Sequence, residues 1–188
     1  MGGPDVACMK DWTRRGWLTA GAGVLRAAAP PIIGNAQAPE LTGKAGDWIN
    51  TDHPLSLRSR RGQVTVVHFW TFACWNCKNN LPIYNRWHTG FGPRAVALIG
   101  IHTPELDHER DPAQVRAKVK EFAIKHAVLL DNGWVNWRRW DQRFWPCVYL
   151  VDRKGRIRAR WDGEMNYGGL RGEERMSAEI ERLLAEPA

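Results

Sequence analysis

No charged side chain interrupts the run from Val64 to Trp70 (VTVVHFW), and a C-x-x-C pair, Cys74 and Cys77, follows it closely. A continuous stretch of β-branched and aromatic residues fits a strand buried on both faces, as in the centre of a sheet covered by helices. From Cys77 to about Thr89 the chain reads as a helix, with Pro82 inside it and Gly90 near its end. The two thiols therefore fall where a buried strand passes into a helix. A buried strand followed by a helix is the first unit of a layered α/β domain.

The other segments fit the same class. Ala95 to His102 (AVALIGIH) reads as a second buried strand. Asp111-Pro112 opens a helix expected to run to about His126, with Asp at the N-cap and Pro in the first turn. Val128 to Leu130 is a short strand, and Trp134, Trp137 and Trp140 recur on one face of a short helix. Cys147 to Val151 and Arg156 to Trp161 read as hairpin partners around Asp152 to Gly155. Met176 to Ala185 is an amphipathic helix. Near the start, Trp48-Ile49-Asn50 and Leu55-Ser56-Leu57 predict two strands around Asp52-His53-Pro54, an N-terminal β-hairpin extension. The expected architecture is a central mixed sheet flanked by helices.

At 188 residues the chain suits one domain and a tail. Its net charge of +7 is mild and does not point to nucleic acid. The densest basic run, Arg153, Lys154, Arg156, Arg158 and Arg160, alternates in part with apolar residues and is expected to be a solvated outer face. Residues 1–38 read as an export signal. Thr13-Arg14-Arg15-Gly16-Trp17-Leu18 places a twin arginine before a small and apolar stretch, and Ala36-Gln37-Ala38 forms an A-x-A cleavage pattern. The stretch is interrupted by Arg26 and is too short and Gly/Ala-rich to span a bilayer. Cleavage after Ala38 would remove Cys8 and leave residues 39–188 as the working domain, periplasmic or otherwise extracytoplasmic. In such an oxidising compartment a reactive C-x-x-C suits redox catalysis.

A thiolate, not a thiol, attacks a disulfide. At a helix N-terminus, unpaired N–H groups and the dipole stabilise that anion. This makes Cys74 the attacking thiol and Cys77 the resolving thiol. Zinc would need about four ligands, and the chain has no second cysteine pair and no metal-like histidine spacing. No metal and no cofactor beyond a Cys74–Cys77 redox disulfide is expected.

The stretch from Val67 through Cys74-Trp75-Asn76-Cys77 to Pro82 resembles the thioredoxin-superfamily active site, most of all the TlpA-like group and the C-terminal domain of DipZ-type proteins. Gly100-Ile101-His102-Thr103-Pro104-Glu105, Trp145-Pro146-Cys147-Val148-Tyr149-Leu150-Val151-Asp152 and Gly163-Glu164 follow in the family's order. The resemblance implies a thioredoxin-like fold over about residues 40 to 185 and exchange of disulfides with protein substrates. It also implies a cis Trp145–Pro146 peptide facing the site. Trp75, Asn76, Trp145, Pro146 and Trp70 are expected to line the mouth, with Glu105 and Cys147 as further candidates. Partners would be protein thiols or disulfides and an unidentified redox partner, a membrane-bound one included. A monomer is expected.

Three positions depart from the family. His68 stands where a buried carboxylate is usual, six residues before Cys74, and is expected to accept the Cys77 proton. Asn80 replaces a common Glu, and Cys147 directly follows the proline, either as a small buried side chain or as a third thiol able to relay a disulfide. Three other readings compete. Thr71 gives the T-x-x-C of a peroxiredoxin-like thiol peroxidase, although Val67 stands where its proline is expected. A Sco-like copper chaperone needs C-x-x-x-C and a late histidine, and none follows His126. A redox-inactive adaptor would not need both cysteines.

Overall fold

The computed structural model describes residues 35–187. Most of the expected export signal, residues 1–34, lies outside the described residues. Six strands form one mixed sheet: β1 (Trp48–Ile49), β2 (Val64–Trp70), β3 (Val96–His102), β4 (Ala127–Leu130), β5 (Cys147–Val151) and β6 (Ile157–Asp162). Their spatial order is β1-β4-β3-β2-β5-β6. β2, β3 and β4 are parallel neighbours, and β1, β5 and β6 join antiparallel. This is the central mixed sheet that the sequence predicts.

Each strand alternates its side chains between two cores. Val64, Val66 and Trp70 of β2 face α1 (Trp75–Phe91), α2 (Pro112–Glu121) and α4 (Gly172–Ala185), packing among Leu81, Tyr84, Val115 and Ile180. Val67 and Phe69 face the other way, toward α3 (Val135–Arg139) and the N-terminal segment, among Trp48, Trp137, Trp140 and Tyr149. Burial of both faces explains the unbroken apolar run. At about 1.5–3 kcal/mol for each fully buried large side chain, these cores are the main stabilising term for the sheet.

The N-terminal β-hairpin does not form. Trp48 and Ile49 pair with Leu129 and Val128 of β4, and Asn50 turns the chain in the left-handed region at φ 60°. Its amide donates to the carbonyls of Ile124 and His126. Leu55 and Leu57 are buried in the second core, but the Leu57 N–H is taken by the Glu40 carboxylate at 2.6 Å and is lost to strand pairing. The helix from Asp111 also stops early, at Glu121. The N–H of Ile124 bonds to Val119 and that of Ala123 to Lys120, with Ala123 left-handed at φ 53°. This is a Schellman stop with alanine where glycine is usual, so no glycine announces it.

Ala36 and Ala38, the ends of the A-x-A pattern, dock on the β5–β6 hairpin. Ile157 N–H donates to the Ala36 carbonyl, and Ala38 N–H to Gly155. A cut after Ala38 would strip these contacts from the domain. In the basic run Lys154 and Arg156 are exposed as expected, while Arg158 pairs with Asp152 and Glu186, and Arg160 with Asp162 at 2.5 Å.

Candidate active site

Cys74 is the N-cap of α1, and the backbone N–H of Cys77 donates to its Sγ at 3.3 Å. Its thiol is half-buried at the surface end of the helix, while Cys77 is 1% exposed. The hydrogen bond from the Cys77 thiol brings the Cys74 pKa down to about 7, helped by the N–H groups of Cys77 and Asn76 and opposed by partial burial and the Glu105 charge. Burial pushes the Cys77 thiol well above its ordinary value, reinforced by Cys74. One sulfur is therefore ready to ionise at neutral pH and its neighbour is held protonated. Pro82 lies inside α1 on an exposed position, and the helix continues past it to Phe91.

The residues around the pair come from the start of α1 and from the loops after β3, β4 and α3. Trp75 is 70% exposed, with the Lys78 ammonium 5.1 Å from its ring centre. Asn76 beside it is exposed. The Trp145–Pro146 peptide is cis. Trp145 is partly buried and packs on Trp137 at 4.1 Å and Trp134 at 5.5 Å between ring centres. Asp131 holds that wall, accepting from the N–H groups of Asn136 and Trp137 and from the Thr103 hydroxyl. Glu105 is exposed, and its charge acts on both sulfurs.

Other expected members lie elsewhere. Trp70 is completely buried, edge-on to His102, so it fills the core and does not line the mouth. Cys147 belongs to the core on the sheet face opposite Cys77, and its thiol donates to Asp162 at 3.0 Å. His68 is fully buried against Tyr84, with ring centres 4.0 Å apart, and shares a hydrogen bond of 2.8 Å with His126. Among the described residues no hydrogen bond joins it to either cysteine. Burial, then His126, holds its pKa well below the usual histidine range. Asn80 stitches α1 to the loop after β6, donating to Gly163 and accepting from Met165 N–H, each at 3.0 Å.

Sequence reasoning missed Glu109. Its carboxylate accepts from the N–H of Ala73, next to Cys74, and from the N–H groups of Glu105 and Leu106, each at 2.8 Å. It also accepts from the Thr71 hydroxyl. In sequence it sits in Asp107-His108-Glu109-Arg110, which reads as surface charge and carries no signal of burial.

Comparison with known proteins agrees with this geometry. The family model described as "AhpC/TSA family" matches residues 34–160. Protein DipZ of Mycobacterium tuberculosis (strain CDC 1551 / Oshkosh) is 36% identical over 132 residues, covering 69% of this chain and 19% of that protein. The chain thus spans about a fifth of the DipZ relatives it matches. Thiol-disulfide oxidoreductase YkuV of Bacillus subtilis (strain 168) is 24% identical over 149 residues, covering 79% of this chain and 94% of that one. The crystal structure of a thiol-disulfide isomerase from Corynebacterium glutamicum superposes with a TM-score of 0.65 at 26% identity, covering 80% of this chain and 98% of that chain. The sheet order, the C-x-x-C at the head of α1 and the match over most of the domain lead to one assignment: the chain belongs to the AhpC/TSA family.

Proposed function

We propose that the protein is a thiol-disulfide oxidoreductase acting on protein substrates through Cys74 and Cys77. The observation that carries this reading is the pairing of a half-exposed, readily ionised thiol with a buried, protonated one in contact with it. The Cys74 thiolate attacks a substrate disulfide, forms a mixed disulfide and expels the first substrate thiolate, which takes a proton. Cys77 then loses its proton and attacks Cys74 Sγ. The Cys74–Cys77 disulfide forms and the second substrate thiolate leaves. Two electrons pass from the protein dithiol to the substrate, and a redox partner restores the dithiol. The reverse sequence oxidises a substrate dithiol.

His68 has a supporting role in this reading, since its hydrogen bond goes to His126. The exposed Glu105 carboxylate opposes ionisation of both sulfurs through its charge. Trp75, Asn76, Trp145 and Pro146 form the substrate-facing mouth. A peroxidase reading is weaker, because the Thr71 hydroxyl is committed to Glu109 and the Glu105 charge opposes the Cys74 thiolate. The twin-arginine leader supports work outside the cytoplasm, on protein disulfides. Reduction of insulin by the dithiol form tests the activity: turnover that both Cys74→Ser and Cys77→Ser abolish is expected, and an inert wild type would exclude it.

A further inference from the structure

We propose that Glu109 is a positioning residue for thiol exchange: one buried carboxylate that locks the segment entering Cys74 to the loop carrying Glu105. The proposal rests on the exchange reading above and goes beyond it in naming what holds the site in register. Glu109 is 0% exposed, although Asp107, His108 and Arg110 around it are exposed. Its Oε1 accepts from Ala73 N–H at 2.8 Å and from the Thr71 hydroxyl, and its Oε2 from the N–H groups of Glu105 and Leu106, each at 2.8 Å. Among the described residues no Lys or Arg ion-pairs with it.

A buried charge without a counter-ion is costly unless its hydrogen bonds are complete. Here two oxygens meet four donors, and the donors belong to two separate loops. One pair comes from the strand-to-helix turn that ends at Cys74, and the other from the loop that follows β3. Burial alone would raise the Glu109 pKa, yet the bonds from Thr71, Ala73, Leu106 and Glu105 hold it below the usual carboxylate range. The carboxylate therefore stays ionised while it clamps both loops. An amide of the same shape cannot replace it: glutamine offers one acceptor oxygen and two N–H donors, so one loop must face N–H against N–H. The clamp fixes the peptide before Cys74, and with it the alignment of Cys74 Sγ on the Cys77 N–H.

Glu109→Gln tests this. Iodoacetamide labelling of Cys74 across pH reads its ionisation, and equilibration with glutathione reads the stability of the disulfide. Positioning predicts a rise in the Cys74 pKa that slows labelling at pH 6 by about three- to tenfold. The glutathione equilibrium should shift by a similar factor, with an unchanged far-UV spectrum. A lower melting temperature with both profiles unchanged would overturn the proposal. If Glu109→Gln does not fold, Thr71→Val removes one donor and should shift labelling in the same direction by a smaller factor; an unchanged profile there overturns it equally. Insulin reduction by the wild type separates the two levels. An inert wild type with a shifted Glu109→Gln profile removes the exchange reading and keeps the clamp, whereas an active wild type matched by the variant removes the clamp alone.

Discussion

His68 and His126 meet Nε2 to Nε2 at 2.8 Å over the backbone of Gly100. His68 pairs in register with Gly100 of the neighbouring strand, and His126 directly precedes β4 on that strand's far side. One imidazole donates and the other accepts, and burial keeps both neutral. Burial, then His88, brings the His126 pKa down to about 3.

Gly100 is what lets the two rings touch. A Cβ there would lie 2.8 Å from His68 Nε2, closer than packed atoms tolerate, and a tight 3.2 Å from Trp70 Nε1. Both rings sit in a full core, so they have little room to retreat. Gly100→Ala should cost about 1–3 kcal/mol, the usual effect of overpacking. Urea denaturation measures it, and wild-type stability in the variant would show that the ring contact is loose.

Acid should unfold the protein through its buried histidines. His126 at about 3 and His102 at about 4 are both lowered chiefly by burial. Their unfolded pKa is near 6.5, so below that value the unfolded chain binds protons that the native state refuses. The stability they contribute is complete above about pH 7.5, falls as pH drops below 6.5, and is fully lost only below the folded pKa values. At pH 5 each should have lost about 2 kcal/mol. Denaturation midpoints at pH 8 and pH 5 check this, and equal midpoints would contradict it.

Removal of His68 and of Glu105 should act on different quantities. His68→Ala opens a cavity beside Tyr84 and leaves His126 without its partner, so stability should fall by about 2–4 kcal/mol. The rate at which Cys77 resolves the mixed disulfide should stay within about twofold. Glu105→Gln removes a charge that opposes both thiolates, so it should lower the Cys74 pKa and speed iodoacetamide labelling at pH 6 by about two- to threefold. Stopped-flow fluorescence with a protein disulfide resolves the two steps. A resolution defect in His68→Ala would restore the histidine as proton acceptor, and an unchanged labelling profile in Glu105→Gln would contradict the charge effect.

Trp145 should set substrate preference. Its ring leans on Trp137 and Trp134 beside the cis peptide, and Trp75 projects into solvent next to Cys74. Aromatic walls favour extended protein segments over a small polar disulfide. Trp145→Ala should lower the ratio of protein-disulfide to oxidised-glutathione rates by about fivefold or more, while the Cys74–Cys77 couple survives. An unchanged ratio would mean that the indoles only fill space.

The parts legible in the sequence are those whose cause is local. The run Val64 to Trp70 is apolar because both of its faces are covered, and Cys74 takes its chemistry from the helix that begins beside it. The parts that were hidden depend on distant partners. Nothing near His68 announces His126, 58 positions away, or the absent side chain at Gly100 that lets them meet. Glu109 looks like its charged neighbours until its four donors are seen. Trp70 lies four residues from Cys74, yet strand alternation sends it into the core beside Val66. The early stop of α2 depends on Ala123 adopting a conformation that usually marks glycine.

Trapping the covalent intermediate tests the division of labour between Cys74 and Cys77 most directly. Cys77→Ser, mixed with an oxidised protein substrate and analysed by mass spectrometry, should accumulate a mixed disulfide through Cys74. Cys74→Ser should accumulate none. A substrate bound through Cys77, or no adduct from the Cys77→Ser variant at neutral pH, would contradict the account.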